Sequence, residues 1–166
     1  MKFDFVIETL DKTHDKTDFD CGETSLNDFL QKFAGQNAKR GLGKTFVAVL
    51  PDEKEVCGYY TLSSGSVEFE NFREKLPRYP IPTVHLGRLA VDGSMKGQGL
   101  GALLLIDALE RTVKVADELG IYAVELYALT ENAKQFYLKY GFIELQDDEK
   151  HLYLPIATLK KSELIP

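Results

Sequence analysis

Apolar and polar positions recur along the chain with two periods, and the switches between them mark the elements. Residues 3–8 (Phe3-Asp4-Phe5-Val6-Ile7-Glu8) predict a short first strand, followed by a polar loop over 11–18. From Cys21-Gly22-Glu23 onward, Leu26, Phe29, Leu30, Phe33 and Asn37 share one helical face. Gln31, Lys32, Gln36, Lys39 and Arg40 lie opposite, and Gly41-Leu42-Gly43 ends the helix. Residues 45–50 and 56–63 predict two strands of a hairpin around residues 51–55. A short helix is expected within 67–82, whose later half is kept extended by Pro77, Pro80 and Pro82. Residues 84–91 predict a strand, and 99–119 a long helix with a stripe of Asp107, Glu110, Arg111, Lys114 and Glu118. The wide apolar remainder of that helix predicts packing onto a sheet, with Gly120 as its C-cap. Residues 121–128 are nearly continuously apolar, as in a buried strand. Thr130 caps a second helix, which Glu131 supports and Gly141 ends. Residues 142–145 and 151–154 predict two closing strands.

The resulting order is β-α-β-β-(α)-β-α-β-α-β-β, a mixed α/β class with one parallel pair in a mostly antiparallel surround. No repeat or low-complexity linker interrupts it, so residues 1–166 are expected to form a single domain, with enough core for 44% hydrophobic residues. A ligand is expected where the central strands end and the long helix begins. No stretch has the ~20 apolar residues of a membrane span, and residues 1–5 lack a leader's apolar run. Cys21 and Cys57 make neither a disulfide framework nor a metal site, and His14, His85 and His151 have no ligand spacing. A reducing cytoplasm and no metal are the expectations. The net charge of −6 argues against wholesale attraction to nucleic acid, although Lys32, Lys39, Arg40 and Lys44 crowd one segment.

The candidate chemistry starts where strand 84–91 runs into Lys96-Gly97-Gln98-Gly99-Leu100-Gly101. A glycine turn opening a helix can aim several N–H groups at one anion, at the positive end of the helix dipole. A dinucleotide fingerprint fails here, because Ala102 and Leu103 follow Gly101 without the third spacing. A P-loop fails too: Gly43-Lys44-Thr45 leads into a strand, and Ala38 stands where its first glycine belongs. Two accounts remain on the turn alone, a phosphate cradle and a tight turn whose glycines serve packing. The turn resembles the [RQ]-x-x-G-x-[GA] turn of the GCN5-related N-acetyltransferases, with Lys96 replacing Arg or Gln. Residues 133–142 (Ala133-Lys134-Gln135-Phe136-Tyr137-Leu138-Lys139-Tyr140-Gly141-Phe142) resemble the family's second signature, A-x-x-[LF]-Y-x-x-x-G-F. They follow the first at the separation this fold requires. Thr130 departs from the Asn common seven residues before the Tyr, losing a cofactor contact but keeping a cap.

The resemblance extends over roughly residues 3–155, through Phe19-Asp20-Cys21-Gly22, Leu26-Asn27-Asp28-Phe29-Leu30, Thr45-Phe46-Val47, Gly58-Tyr59-Tyr60-Thr61-Leu62 and Leu86-Gly87-Arg88-Leu89-Ala90-Val91-Asp92. These are similar to the acetyltransferase toxins of toxin–antitoxin pairs. The resemblance implies a central mixed, mostly antiparallel sheet splayed at its middle strands and flanked by helices. It implies acetyl-CoA as co-substrate, held by Leu89, Ala90, Val91, Lys96, Gly97, Gln98, Gly99, Leu100, Gly101, Ala102, Thr130 and Ala133. It makes Tyr137 the acid that protonates the departing thiolate, where the helix pattern alone reads a core aromatic. It implies a charged tRNA whose α-amine is acetylated, blocking translation, and a ribbon-helix-helix antitoxin; a homodimer is a further candidate partner. Lys32, Lys39, Arg40, Lys44 and Arg88 are the substrate-side candidates. A buried Arg88 implies a partner, either an ion pair within the fold or the substrate itself. Glu125 is a charged residue on the strand before the second motif. Two other functions stay open: acetylation of a small-molecule or protein amine, which the acidic balance favours, and a non-catalytic CoA-binding module.

Overall fold

The structure is a computed structural model that describes residues 3–162 and 164; the first two residues of the stretch read for a leader, and 163, 165 and 166 of the expected domain, lie outside the described residues. The strands are β1 (Val6–Thr9), β2 (Lys44–Val49), β3 (Gly58–Val67), β4 (Ile81–Val91), β5 (Ala123–Tyr127), β6 (Ile143–Glu144) and β7 (His151–Pro155). The helices are α1 (Thr24–Asp28), α2 (Ala34–Lys39), α3 (Leu100–Glu118), α4 (Glu131–Lys139) and α5 (Ile156–Lys161). The sheet has seven strands in the order β1-β2-β3-β4-β5-β7-β6. Its described pairings are antiparallel except β4 with β5. That parallel ladder runs from Thr83 opposite Ala123 to His85 opposite Glu125, and β4 continues to Val91.

The chain groups into two compact units, residues 1–63 with 87–108 and residues 64–86 with 109–166. In the first, Phe19, Phe29, Leu30, Val47, Val49, Tyr59 and Ala90 form the core, with Leu10 and Leu26 against it. Full burial of each Val, Leu or Phe side chain among them contributes roughly 1.5–3 kcal/mol. In the second, Val67, Phe72, Ile81, Ala123, Leu145 and Tyr153 form a separate cluster. There Tyr122 and Tyr153 both donate hydroxyl hydrogen bonds to Glu74.

Several boundaries differ from those the pattern predicts. β1 starts at Val6, because its register against β2 begins with Val6 opposite Val49. The helix expected from residue 24 to 40 is broken by a π-turn at Phe29–Phe33, closed by the Ala34 N–H donating to the Phe29 carbonyl. The wider turn rotates Phe33 out of the apolar face, leaving it 51% exposed while Phe29 is 6% exposed. Residues 67–82 hold only a 3₁₀ turn at Phe69–Asn71, and β4 already begins at Ile81. Gly120 is not among the left-handed glycines, so it does not cap α3, whereas Gly141 (φ 95°) ends α4 as expected. α5 is too short to show a period and was not foreseen in the pattern.

Candidate active site

In the first unit the turn after β4 is built from carboxylates and backbone. Asp92 accepts from the Ser94 N–H (3.0 Å) and hydroxyl (2.5 Å) through one oxygen, and from the Asp20 N–H (2.9 Å) through the other. Asp20 in turn accepts from the Gly22 N–H (2.9 Å) and the Asn27 amide (3.0 Å), while its carbonyl takes the Gly93 N–H (2.8 Å). Asn27 accepts the Cys21 N–H (2.9 Å), and Lys96 Nζ donates to the Cys21 carbonyl (2.8 Å). These bonds hold the Asp20 carboxyl below its ordinary range, and likewise that of Asp92 even though partial burial opposes its charge. The 20–22 loop is thereby clasped to the turn, and the Lys96 side chain is spent as part of the clasp.

Past the clasp, Gly97 and Gly99 adopt φ of 82° and 81°, a region side chains other than glycine's rarely tolerate. A Cβ at either would point into open space. Among the described residues no backbone hydrogen bond occupies the N–H of Gly97, Gln98 or Gly99. The Leu103 N–H donates to the Gly99 carbonyl (3.1 Å), so the amides of Leu100, Gly101 and Ala102 are the unpartnered first donors of α3. Leu100 is fully buried and fixes the helix start. The result is a row of main-chain donors on an open cradle, a fit for a diphosphate.

Also in the first unit, Ala90 is buried, and Leu89 and Val91 are partly exposed. Arg88 is half-buried, and its guanidinium lies 3.6 Å from the centre of the Phe29 ring. Among the described residues it has no carboxylate partner, so the ion pair that a buried arginine implies is not there. Lys39, Arg40 and Lys44 are exposed, as is Lys32, which sits 3.5 Å from Asp28.

In the second unit, Thr130 accepts the Ala133 N–H (3.1 Å) as the N-cap of α4. One turn further, Tyr137 stands between the rings of Phe136 (5.2 Å) and Phe142 (5.6 Å) and is 7% exposed. Its hydroxyl makes no hydrogen bond among the described residues, and burial raises its pKa, keeping it a protonated donor at neutral pH. The aromatic stripe and the free hydroxyl coexist in one residue.

Sequence reasoning treated the histidines as isolated; the second unit joins two of them. Glu125, 4% exposed, places Oε1 2.6 Å from His85 Nδ1 and Oε2 2.6 Å from His151 Nε2. His151 Nδ1 lies 2.9 Å from Asp147, and Tyr127 stacks on its ring at 3.9 Å. Both ring nitrogens of His151 face carboxylates, an arrangement that favours the doubly protonated ring. Burial opposes that charge, but the Glu125 and Asp147 hydrogen bonds outweigh it and raise the His151 pKa. Burial likewise opposes the Glu125 charge, and the bonds from His151 and His85 lower its pKa regardless. Gly65 makes room for this chain: a Cβ there would lie 2.8 Å from Thr83 Oγ1 and 3.2 Å from Glu125 Oε1. Among the described residues, Thr83 Oγ1 is buried without a partner. The signal for this cluster was cross-strand register, which spacing along the chain does not carry.

Residues 17–161 match the model of an Acetyltransferase (GNAT) domain. A tRNA-acetylating toxin of Mycobacterium tuberculosis (strain ATCC 25618 / H37Rv) is 40% identical over 144 residues, covering 84% of this chain and 85% of that one. Among solved structures, a variant of KacT superposes with a TM-score of 0.90 at 32% identity, over 95% of this chain and 98% of that one. AtaT complexed with acetyl-methionyl-tRNAfMet superposes at 0.88 with 33% identity over the same shares. AtaT is also solved bound to the C-terminus of its antitoxin AtaR, and AtaTR with AcCoA. With the family model spanning most of its length, this chain belongs to the GNAT acetyltransferase family.

Proposed function

We propose that the protein is an acetyl-CoA-dependent N-acetyltransferase, acting as the toxin of a toxin–antitoxin pair. It transfers acetyl to the α-amine of aminoacyl-tRNA and so blocks translation, with the whole chain serving as one catalytic domain. The observation that carries the reading is the row of free N–H groups at Gly97–Gly99 and the start of α3, on a chain 40% identical to a tRNA-acetylating toxin. In this reading the amides of residues 97–102 hold the diphosphate, with Gln98 and Leu100 fixing the turn, Lys96 bracing it, and Thr130 and Ala133 setting the end of α4. Leu89, Ala90 and Val91 offer an unpaired strand edge to the pantetheine arm, and the Leu89 or Val91 N–H stabilises the developing oxyanion. Tyr137 gives its proton to the departing thiolate, a modest leaving group with a pKa near 8.5. An α-amine pKa of about 8 leaves a useful neutral fraction at pH 7, so the acceptor reacts without a dedicated base.

The exposed Lys32, Lys39, Arg40 and Lys44 serve the acceptor-stem phosphates, and Arg88 the acceptor end. A ribbon-helix-helix antitoxin and a second copy of this chain are the candidate protein partners. AtaT with AtaR and AtaT with acetyl-methionyl-tRNA support the antitoxin and the substrate.

The test is incubation of the purified protein with labelled acetyl-CoA and bulk charged tRNA. Label is expected on the aminoacyl group, and Tyr137→Phe is expected to lower the rate by at least about 100-fold, the scale of a lost general acid. Label on free or protein amines with none on charged tRNA would replace the substrate. CoA binding with no turnover on any amine would remove the enzyme.

A further inference from the structure

Arg88 is a cation the fold builds in and leaves uncommitted. It sits on β4, one residue before Leu89, and half of it is withdrawn from water. Full burial of a guanidinium calls for a carboxylate within the protein, and Arg88, withdrawn only in part, keeps its charge without one. Here its central carbon stands over the Phe29 ring at 3.6 Å, and among the described residues no acidic group answers it. Tyr59, the titratable group that senses it, has its hydroxyl donating to the Leu26 carbonyl at 2.7 Å, and burial raises its pKa so it stays neutral. The cation–π contact uses none of the guanidinium's N–H donors, and these match a phosphate bidentately.

The seat itself is specialised. Phe29 stands at the head of the π-turn Phe29–Phe33 and stacks on Tyr59 (6.3 Å, 15°). Single π-turns inside α-helices are frequent at functional sites.

We propose that Arg88, seated over the Phe29 ring, is the receptor for the 5′-phosphate of the acceptor RNA's terminal nucleotide. The inference rests on the acetylation of charged tRNA proposed above. Two phosphates share this chemistry, the acceptor's and the 3′-phosphate of acetyl-CoA. The chain position favours the acceptor. Arg88 adjoins Leu89, whose N–H is assigned to the reacting carbonyl, and the acceptor's last phosphate is one nucleoside away from the aminoacyl ester. The 3′-phosphate of the cofactor lies on its adenosine, beyond the diphosphate assigned to the Gly97–Gly99 amides.

The experiment compares inhibition by 3′-aminoacylamino-3′-deoxyadenosine with and without a 5′-phosphate, using wild type, Arg88→Met and Arg88→Lys in the full chain. Wild type is expected to prefer the phosphorylated inhibitor by roughly 10-fold, the scale of a charge-assisted hydrogen bond. Arg88→Met loses that preference, and Arg88→Lys, keeping the charge without the fork, retains part of it. The KM for acetyl-CoA stays within about two-fold in both variants, and the salt dependence of tRNA binding falls by about one unit of slope in Arg88→Met. A preference that survives Arg88→Met, or is missing from wild type, overturns the assignment. So does a raised KM for acetyl-CoA that disappears with 3′-dephospho-acetyl-CoA, which gives Arg88 to the cofactor. Should Arg88→Met not fold, the partial loss in Arg88→Lys decides. A wild type silent on charged tRNA fails at the earlier step, the substrate itself.

Discussion

The turn of the first unit and the histidine chain of the second are both dense polar networks, yet they use charge in opposite ways. Around Asp20 and Asp92 the carboxylates accept mainly from backbone N–H groups and a hydroxyl, partners that do not titrate near neutrality. That network is insensitive to pH above the carboxylate range and leaves the amides of Gly97–Gly99 free. Around Glu125 the partners are two imidazoles, and the carboxylate is buried. Its order therefore depends on the number of bound protons. Backbone clasping suits a rigid ligand cradle; a buried carboxylate between histidines ties stability to pH.

The largest effect expected from breaking the comparison is at Gly99. A valine there must hold φ near 81°, which costs about 1–2 kcal/mol for a residue with a Cβ. It also thrusts a branched side chain into the cradle. Gly99→Val is expected to raise the KM for acetyl-CoA by roughly 100-fold, the combined scale of that strain and one lost charge-assisted hydrogen bond. Gly65→Ala is the counterpart in the second unit. Its Cβ would press on Thr83 and Glu125, so it should lower the melting temperature with little change in that KM. Equal KM effects from the two would erase the distinction between cradle and buried chain.

The second effect is on pH dependence. The His151 pKa is raised, so its contribution is full below the ordinary value of 6.5 and is lost as pH rises through the folded value. The Glu125 pKa is lowered, so its contribution is present above the ordinary 4.5 and is lost as pH falls through the folded value. The chain stabilises most between those two ordinary values. Glu125→Gln is expected to cost about 3 kcal/mol near pH 6, the scale of breaking a buried charged pair, and to flatten the decline on both sides. Urea unfolding from pH 4 to pH 9 reads both, and parallel pH profiles for the two proteins would refute the account.

The glycine turn and Thr130 were legible because their causes are local: a positive φ demands glycine, and an N-cap demands a short side-chain acceptor. The role proposed for Tyr137 rests on a motif alone, since by spacing Ala133, Phe136, Tyr137 and Tyr140 read as a core stripe. The Glu125 chain was not legible. His85 meets Glu125 through the parallel β4–β5 register, and His151 arrives through the antiparallel β5–β7 register, opposite Tyr127. Neither pairing leaves a trace in spacing. The π-turn was hidden for a related reason: one extra residue in a turn shifts Phe33 outward while the apolar count stays that of a helix.

The smallest expected effect separates two roles for Lys96. As a brace, it contributes one hydrogen bond to the Cys21 carbonyl from an exposed stem. One such bond contributes about 1 kcal/mol, and Asp20, Asp92 and Asn27 still close the clasp without it. Lys96→Met is then expected to raise the KM for acetyl-CoA by no more than about five-fold, the factor that free energy allows, with the same salt dependence as wild type. If instead the ammonium leaves Cys21 for the diphosphate when the ligand arrives, the same variant loses a direct charge contact. Its KM would then rise more than about ten-fold, and the wild-type KM would climb with salt more steeply than the variant's. The salt series on the two proteins thus decides whether the lysine in the family's Arg-or-Gln position touches the ligand or only holds the loop behind it.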